Sequence, residues 1–148
     1  VWCHTCWGNP FAQNLGYGPK YKPVLPYLEQ LEVDVLTFEM KYADFLELDE
    51  IAAAIGSDKK VALGVISHRT LQIETPEEVA NDIRQALKLI PPERLIISSD
   101  CGFGRQGMSR KHAFYKMVAL ARGTNLVRQE LGIEQTPVLA AQPHLRLL

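Results

Sequence analysis

Four positions in the chain combine residue types that hold transition metals. His4 and Cys6 are separated by one residue, Glu39 closes a β-rich run, and Cys101 follows an aspartate. If the opening segment is extended, side chains alternate between faces, so His4 and Cys6 point one way while Cys3 and Thr5 point the other. That alternation favours the His4–Cys6 pair over Cys3-x-x-Cys6, which would suit a zinc knuckle only with a second close ligand pair that the sequence lacks. Two thiolates and an imidazole favour zinc, and Glu39 can complete a tetrahedron. With two thiolates and a carboxylate, the loaded site carries net negative charge and polarises carbonyls poorly. It suits another task, which is to bind a substrate thiol as a nucleophilic thiolate, because coordination removes the thiol proton near neutral pH. A carboxylate is the natural ligand to yield its place to the incoming sulfur.

Taken singly, a cysteine is usually a small core residue, and a glutamate at a strand end is usually a cap or an ion-pair partner. The metal reading rests on where the four fall together. Val33 to Glu39, Lys60 to Ile66 and Arg94 to Ser99 are short β-rich or nearly continuous apolar runs, as in parallel strands covered on both faces. Val1 to Cys6 reads as the end of a further strand. Functional residues collect at the C-terminal ends of parallel strands. Those ends are Cys3-His4-Thr5-Cys6, Glu39, Ser67-His68-Arg69 and Asp100-Cys101-Gly102, and each carries a potential metal ligand. His68 is placed to act as an acid, a base or a substrate contact, against the alternative of a structural histidine. Asp100 is a candidate to orient His4 or another ligand from outside the coordination shell, or a turn residue. Trp2 and Trp7 flank the cluster, with Trp2 expected in the core. Gly102-Phe103-Gly104 is a weak phosphate-loop signal. His112 and His144 read as ordinary surface residues.

Helices alternate with the strands. Thr75-Pro76-Glu77-Glu78 is a strong start for a helix over 77–90, with Pro91-Pro92 stopping it. A second long helix is expected over 109–131, burying Phe114, Met117, Val118, Ala121 and Leu126, interrupted at Gly123 and closed by Gly132. Asp44 is expected to cap a helix over 45–55, and a weaker helix is expected over 21–31, with Pro23 and Pro26 confining its start. The loop from Trp7 to Lys20 should overhang the first strand end, and the 133–148 tail has no clear placement. Strand–helix alternation implies an α/β fold with a parallel sheet, either open and doubly wound or half of a (β/α)8 barrel, since a full barrel takes about 250 residues.

At 148 residues the chain is expected to form one domain, 1–148. Its content is 47% hydrophobic and 22% charged with a net charge of −1, which gives no electrostatic footprint for nucleic acid or an anionic membrane surface. No apolar run approaches membrane-spanning length, and no signal peptide is expected. Three cysteines fit a reducing, cytoplasmic setting better than a disulfide framework. Val1 in place of Met reads as a fragment or processed product.

In combination, His4-x-Cys6, the Val-Asp-Val-Leu-Thr-Phe-Glu39 strand, Leu-Gly-Val leading to His68, and Pro-Pro-Glu-Arg-Leu-Ile-Ile-Ser-Ser-Asp-Cys101-Gly resemble the catalytic domain of the cobalamin-independent methionine synthase family. The resemblance covers about residues 1–131 and implies the C-terminal half of a TIM (β/α)8 barrel. It further implies a catalytic zinc held by His4, Cys6, Glu39 and Cys101, with His68 in the active site. The implied reaction is transfer of a methyl group from methyltetrahydrofolate to homocysteine. The loop at Trp7-Gly8-Asn9-Pro10 looks more like the short single-barrel relatives. A half barrel leaves open edges and an uncovered inner face, so self-association or pairing with an N-terminal barrel half is expected. The alternatives are a coenzyme M-type zinc thiol alkyltransferase, a non-catalytic zinc-binding module and a metal-free open α/β binding domain; Glu39 as fourth ligand favours the methionine synthase side.

Overall fold

The apolar runs pair side by side as parallel strands. The computed structural model describes residues 1–7, 20–104 and 107–141. Within them the elements are β1 (Trp2–His4), α1 (Leu25–Glu29), β2 (Val35–Phe38), α2 (Leu48–Ala54), β3 (Lys60–Ile66), α3 (Pro76–Leu87), β4 (Leu95–Ser99), α4 (Arg110–Glu130) and a 3₁₀ turn at Leu139–Ala141. The sheet runs β1-β2-β3-β4, every pair parallel. A doubly wound sheet reverses its strand order at a switch point, whereas a barrel adds strands in sequence. The unbroken order resolves the two architectures in favour of the C-terminal half of a (β/α)8 barrel. Right-handed crossovers in that order put successive helices on one face of the sheet.

The central strands are the buried ones. Leu36, Phe38, Val61, Leu63, Val65 and Ile66 have no exposed surface, and α3 covers them with Val79, Ala80, Ile83 and Ala86. Thr75 caps α3 as the sequence predicts: its hydroxyl accepts from the Glu78 N–H while the Glu78 carboxylate accepts from the Thr75 N–H, a reciprocal capping box. Among the described residues, no helix is long and apolar enough to cross a membrane.

Several expectations are corrected. Asp44 does not cap α2. Asp44, Phe45 and Glu47 all take left-handed backbone angles (φ 51°, 57° and 66°), so the helix begins only at Leu48. Glu47 sends its carboxylate to the N–H groups of Tyr21 and Lys22, tying this strained turn to the segment before α1. In α4 the buried positions are Lys116, Ala119, Gly123 and Val127 rather than the larger apolar residues, and Met117 is exposed. Gly123 does not interrupt the helix: a Cβ there would lie 2.5 Å from Val79 Cβ and 2.6 Å from the Pro76 carbonyl oxygen, so its bare backbone is what lets α4 press against α3. Trp2 is not in the core either. It is exposed on β1, with its indole N–H bonded to Thr37 Oγ1. The weak helix near 21–31 shortens to Leu25–Glu29. The loop over 8–19, His144 and the 142–148 end of the tail lie outside the described residues.

Candidate metal centre

Each candidate ligand stands at or just beyond a strand end. β1 pairs with β2 through His4↔Thr37, and the Thr5 N–H extends the ladder to the Thr37 carbonyl at 3.0 Å. This extended backbone turns His4 and Cys6 to one side. His4 Nε2 lies 3.2 Å from Cys101 Sγ, and Cys101 Sγ lies 3.2 Å from Cys6 Sγ. Cys3 is on the other side, packed against the hydrophobic core, and all three cysteines are free thiols. His4, Cys6 and Cys101 thus form one group of potential metal ligands, with ligand atoms within 4.8 Å of one another.

Glu39, His68 and Cys101 form a second, overlapping group within the same limit. Glu39 is buried immediately past β2. Its Oε1 lies 3.6 Å from Cys6 Sγ and 3.5 Å from His68 Nε2, while its Oε2 lies 3.3 Å from an Arg69 guanidinium nitrogen and 3.4 Å from the Trp7 N–H. One carboxylate oxygen therefore faces the thiols and the other faces donors. His68 is fully buried beside it. His112 stands apart from both groups, on the first turn of α4 with its Nδ1 2.7 Å from Ser109 Oγ.

Asp100 has a different task from holding His4. Its Oδ1 accepts the N–H groups of Met40 and Lys41 at 2.9 and 3.0 Å, and its Oδ2 accepts that of Tyr42 at 2.9 Å. The residue before Cys101 thereby fixes the chain directly after Glu39, so the two strand ends are locked in register. Burial pushes the Asp100 carboxyl up to about 7, opposed by these three donors. Burial also raises the Cys101 thiol, reinforced by its contacts with Cys6 and Glu39.

Two contributors carry no sequence signal. Tyr21 lies under the site, its ring 4.2 Å from that of Trp7 and 4.9 Å from that of Phe38, and its hydroxyl accepts the Glu39 N–H at 2.8 Å. Burial is the main cause of its raised phenol pKa. Lys116, fully buried on α4, reaches Glu74 at 2.8 Å, and Glu74 accepts the Ser67 N–H at 2.9 Å next to His68. Tyr21 stands in a loop far from Glu39 in sequence, and a lysine within a helix reads as surface.

A family model described as "Cobalamin-independent synthase, Catalytic domain" matches residues 17–123, a span that includes Glu39, His68 and Cys101. The chain is similar to a methionine synthase of Saccharolobus islandicus, with 41% identity over 86% of this chain and 34% of that protein. It is also similar to one of Sulfurisphaera tokodaii, with 33% identity over 86% of this chain and 33% of that protein. Among solved structures, a B12-independent methionine synthase from Shewanella sp. W3-18-1 in complex with selenomethionine superposes with a TM-score of 0.65 and 29% identity, over 88% of this chain and 39% of that one. The chain spans about a third of the length of the curated relatives it matches.

Proposed function

Since the chain belongs to the cobalamin-independent synthase catalytic-domain family, we propose that it carries the zinc-binding half of a methyltransferase barrel that moves a methyl group from a methyltetrahydrofolate donor to homocysteine, giving methionine. The observation that carries this reading is the convergence of His4 Nε2, Cys6 Sγ and Cys101 Sγ, drawn from strand ends nearly a hundred positions apart. Tetrahedral zinc, with bonds of about 2.0–2.3 Å, holds its donor atoms about 3.5–4 Å apart. The donors here, at 3.2 Å, need only a small outward shift to admit it. Glu39 Oε1 is the fourth donor, close enough to complete the set by a side-chain adjustment.

In this reading His4, Cys6, Glu39 and Cys101 hold the ion. When bound, zinc supplies a thiol substrate with a cation that keeps its sulfur deprotonated and nucleophilic. Glu39 would be the ligand to yield its place to a substrate sulfur. His68, against Glu39 Oε1, is the residue placed to hold or pass a proton there. Asp100 and Tyr21 act on Glu39 through its backbone, one on the residues after it and one on its own N–H. The exposed β1 edge and the half-buried β4 strand call for further strands. An N-terminal barrel half, or a second copy of the chain, is the partner this reading requires.

The test is zinc content after purification under reducing conditions, for the parent chain and for Cys101→Ser, followed by a methyl-transfer assay with homocysteine and methyltetrahydrofolate. Stoichiometric zinc, lost in Cys101→Ser, supports the site. Absence of zinc from a metal-replete, folded parent overturns it. Zinc without turnover favours a non-catalytic module.

A further inference from the structure

We infer that Arg69 is the positioning residue that anchors the outer oxygen of Glu39, and so sets how firmly this carboxylate serves as a metal ligand. The inference rests on the zinc reading above. Glu39 is a buried anion whose two oxygens look in opposite directions, Oε1 toward Cys6 and His68, and Oε2 toward Arg69. A carboxylate ligand keeps its aim only if its other oxygen is also bonded. Among the described residues, the donors on that side are the Arg69 guanidinium at 3.3 Å and the Trp7 N–H at 3.4 Å, and of these two the first is charged.

Arg69 is itself held in place. Its side chain is 8% exposed, and its guanidinium stacks over the Tyr42 ring with the central carbon 4.1 Å from the centroid. Tyr42 is fixed in turn by its N–H bond to Asp100, the neighbour of Cys101. A planar, stacked guanidinium is preorganised in a way an ammonium is not. The Cys101 strand end therefore reaches Glu39 by a further route, through Asp100, Tyr42 and Arg69, besides the thiol cluster and the direct Asp100 bonds to the Met40 and Lys41 N–H groups. Were Glu39 to yield its place to a substrate sulfur, Arg69 would keep the Oε2 side of the carboxylate paired, so that it would not become an unpaired buried charge.

Zinc affinity, read by competition with a chromophoric chelator, tests this without any turnover. Arg69→Met is expected to weaken zinc binding about 10–100-fold, the usual cost of losing a partner of a metal ligand. Arg69→Lys, which keeps the charge but not the fork, should recover part of that loss. In a Glu39→Gln background, Arg69→Met should have little further effect, because the residue acts through Glu39. Circular dichroism and the unfolding midpoint check each variant's fold. If Arg69→Met fails to fold, Arg69→Lys measured in both backgrounds gives the same comparison, with a loss expected only where Glu39 is present. Unchanged zinc affinity in a folded Arg69 variant, or equal losses in both backgrounds, overturns the inference while leaving the zinc site standing. A parent chain that binds no zinc overturns the zinc reading and the inference together.

Discussion

The Asp100 carboxylate occupies the space that a side chain at Gly64 would need: a Cβ at position 64 would lie 2.1 Å from Asp100 Oδ1 and 2.6 Å from its Cα. The close approach is functional in its consequences, because that same Oδ1 receives the N–H groups of Met40 and Lys41 behind Glu39. Gly64→Ala must push β4's end outward or turn the carboxylate away. The expected cost is about 1–3 kcal/mol, typical of overpacking a filled interior, measured as a lower urea midpoint at unchanged m-value. Zinc affinity should fall as well, since Glu39 loses its backbone support. A variant as stable as the parent would show that the sheet absorbs the methyl group freely.

The buried Lys116–Glu74 pair makes an opposite kind of prediction. Lys116 has no exposed surface and also bonds the Gln72 carbonyl, so removing it strands a buried carboxylate. Lys116→Met should destabilise the chain by about 3–5 kcal/mol. Lys116→Met combined with Glu74→Gln should recover a good part of that, because a neutral amide can still accept the Ser67 N–H. Chemical denaturation of both single variants and the double variant closes the cycle, and strict additivity would mean the pair is not coupled.

The α3 capping box gives the pH-dependent case. The Glu78 carboxyl is held below its ordinary value, first by the Thr75 backbone N–H and then by the Thr75 side chain. A depressed carboxyl contributes stability that is full above its unfolded-state pKa, near 4.3, and is lost as pH falls through the lower folded-state value. The stability difference between the parent and Glu78→Ala should therefore be constant near neutrality and shrink on acidification below about pH 4. Thr75→Ala should cost about 1 kcal/mol at neutral pH. A parent–variant difference that stays flat down to about pH 3 would show that the carboxylate charge adds nothing to the cap.

The strands were legible in sequence because their apolar runs are continuous; Lys60–Ile66 matches the expected boundaries at both ends. The proximity of His4, Cys6 and Cys101 was legible because parallel strands deliver their C-terminal ends to one rim, so residues far apart in sequence could be read as neighbours. Where size and hydrophobicity mislead, the sequence reading failed. On α4, Phe114 and Met117 outrank Lys116 and Gly123 on any apolar scale. Yet the helix is seated by the glycine that permits contact with Val79 and by the lysine that neutralises Glu74. Left-handed angles at Asp44 and Phe45 are equally hidden, because Asp44 tolerates them but Phe45 does not favour them, and the turn is held from outside by the Glu47 contacts with Tyr21 and Lys22. The roles of Arg69 and Tyr21 follow from three-dimensional contacts to Glu39 that no spacing encodes.

The three cysteines should separate by function. Cys3 faces away from His4 and packs on the core, outside both ligand groups, whereas the Cys6 and Cys101 sulfurs lie 3.2 Å apart. Cys3→Ser places a hydroxyl in a half-apolar setting, and a modest loss of stability is expected, on the order of 1 kcal/mol, with zinc stoichiometry unchanged. Cys6→Ser and Cys101→Ser each remove a soft ligand that a hydroxyl does not replace at neutral pH, so both should emerge from purification with little zinc. Metal analysis of the three variants side by side decides between the two pairings. Loss of zinc in Cys3→Ser with retention in Cys101→Ser would mean that the ion is gripped by the turn pair Cys3 and Cys6, and that the strand-rim geometry is incidental. The reverse pattern would tie the metal to the β1 and β4 rims together, making the register set by Asp100 and Gly64 part of the binding site.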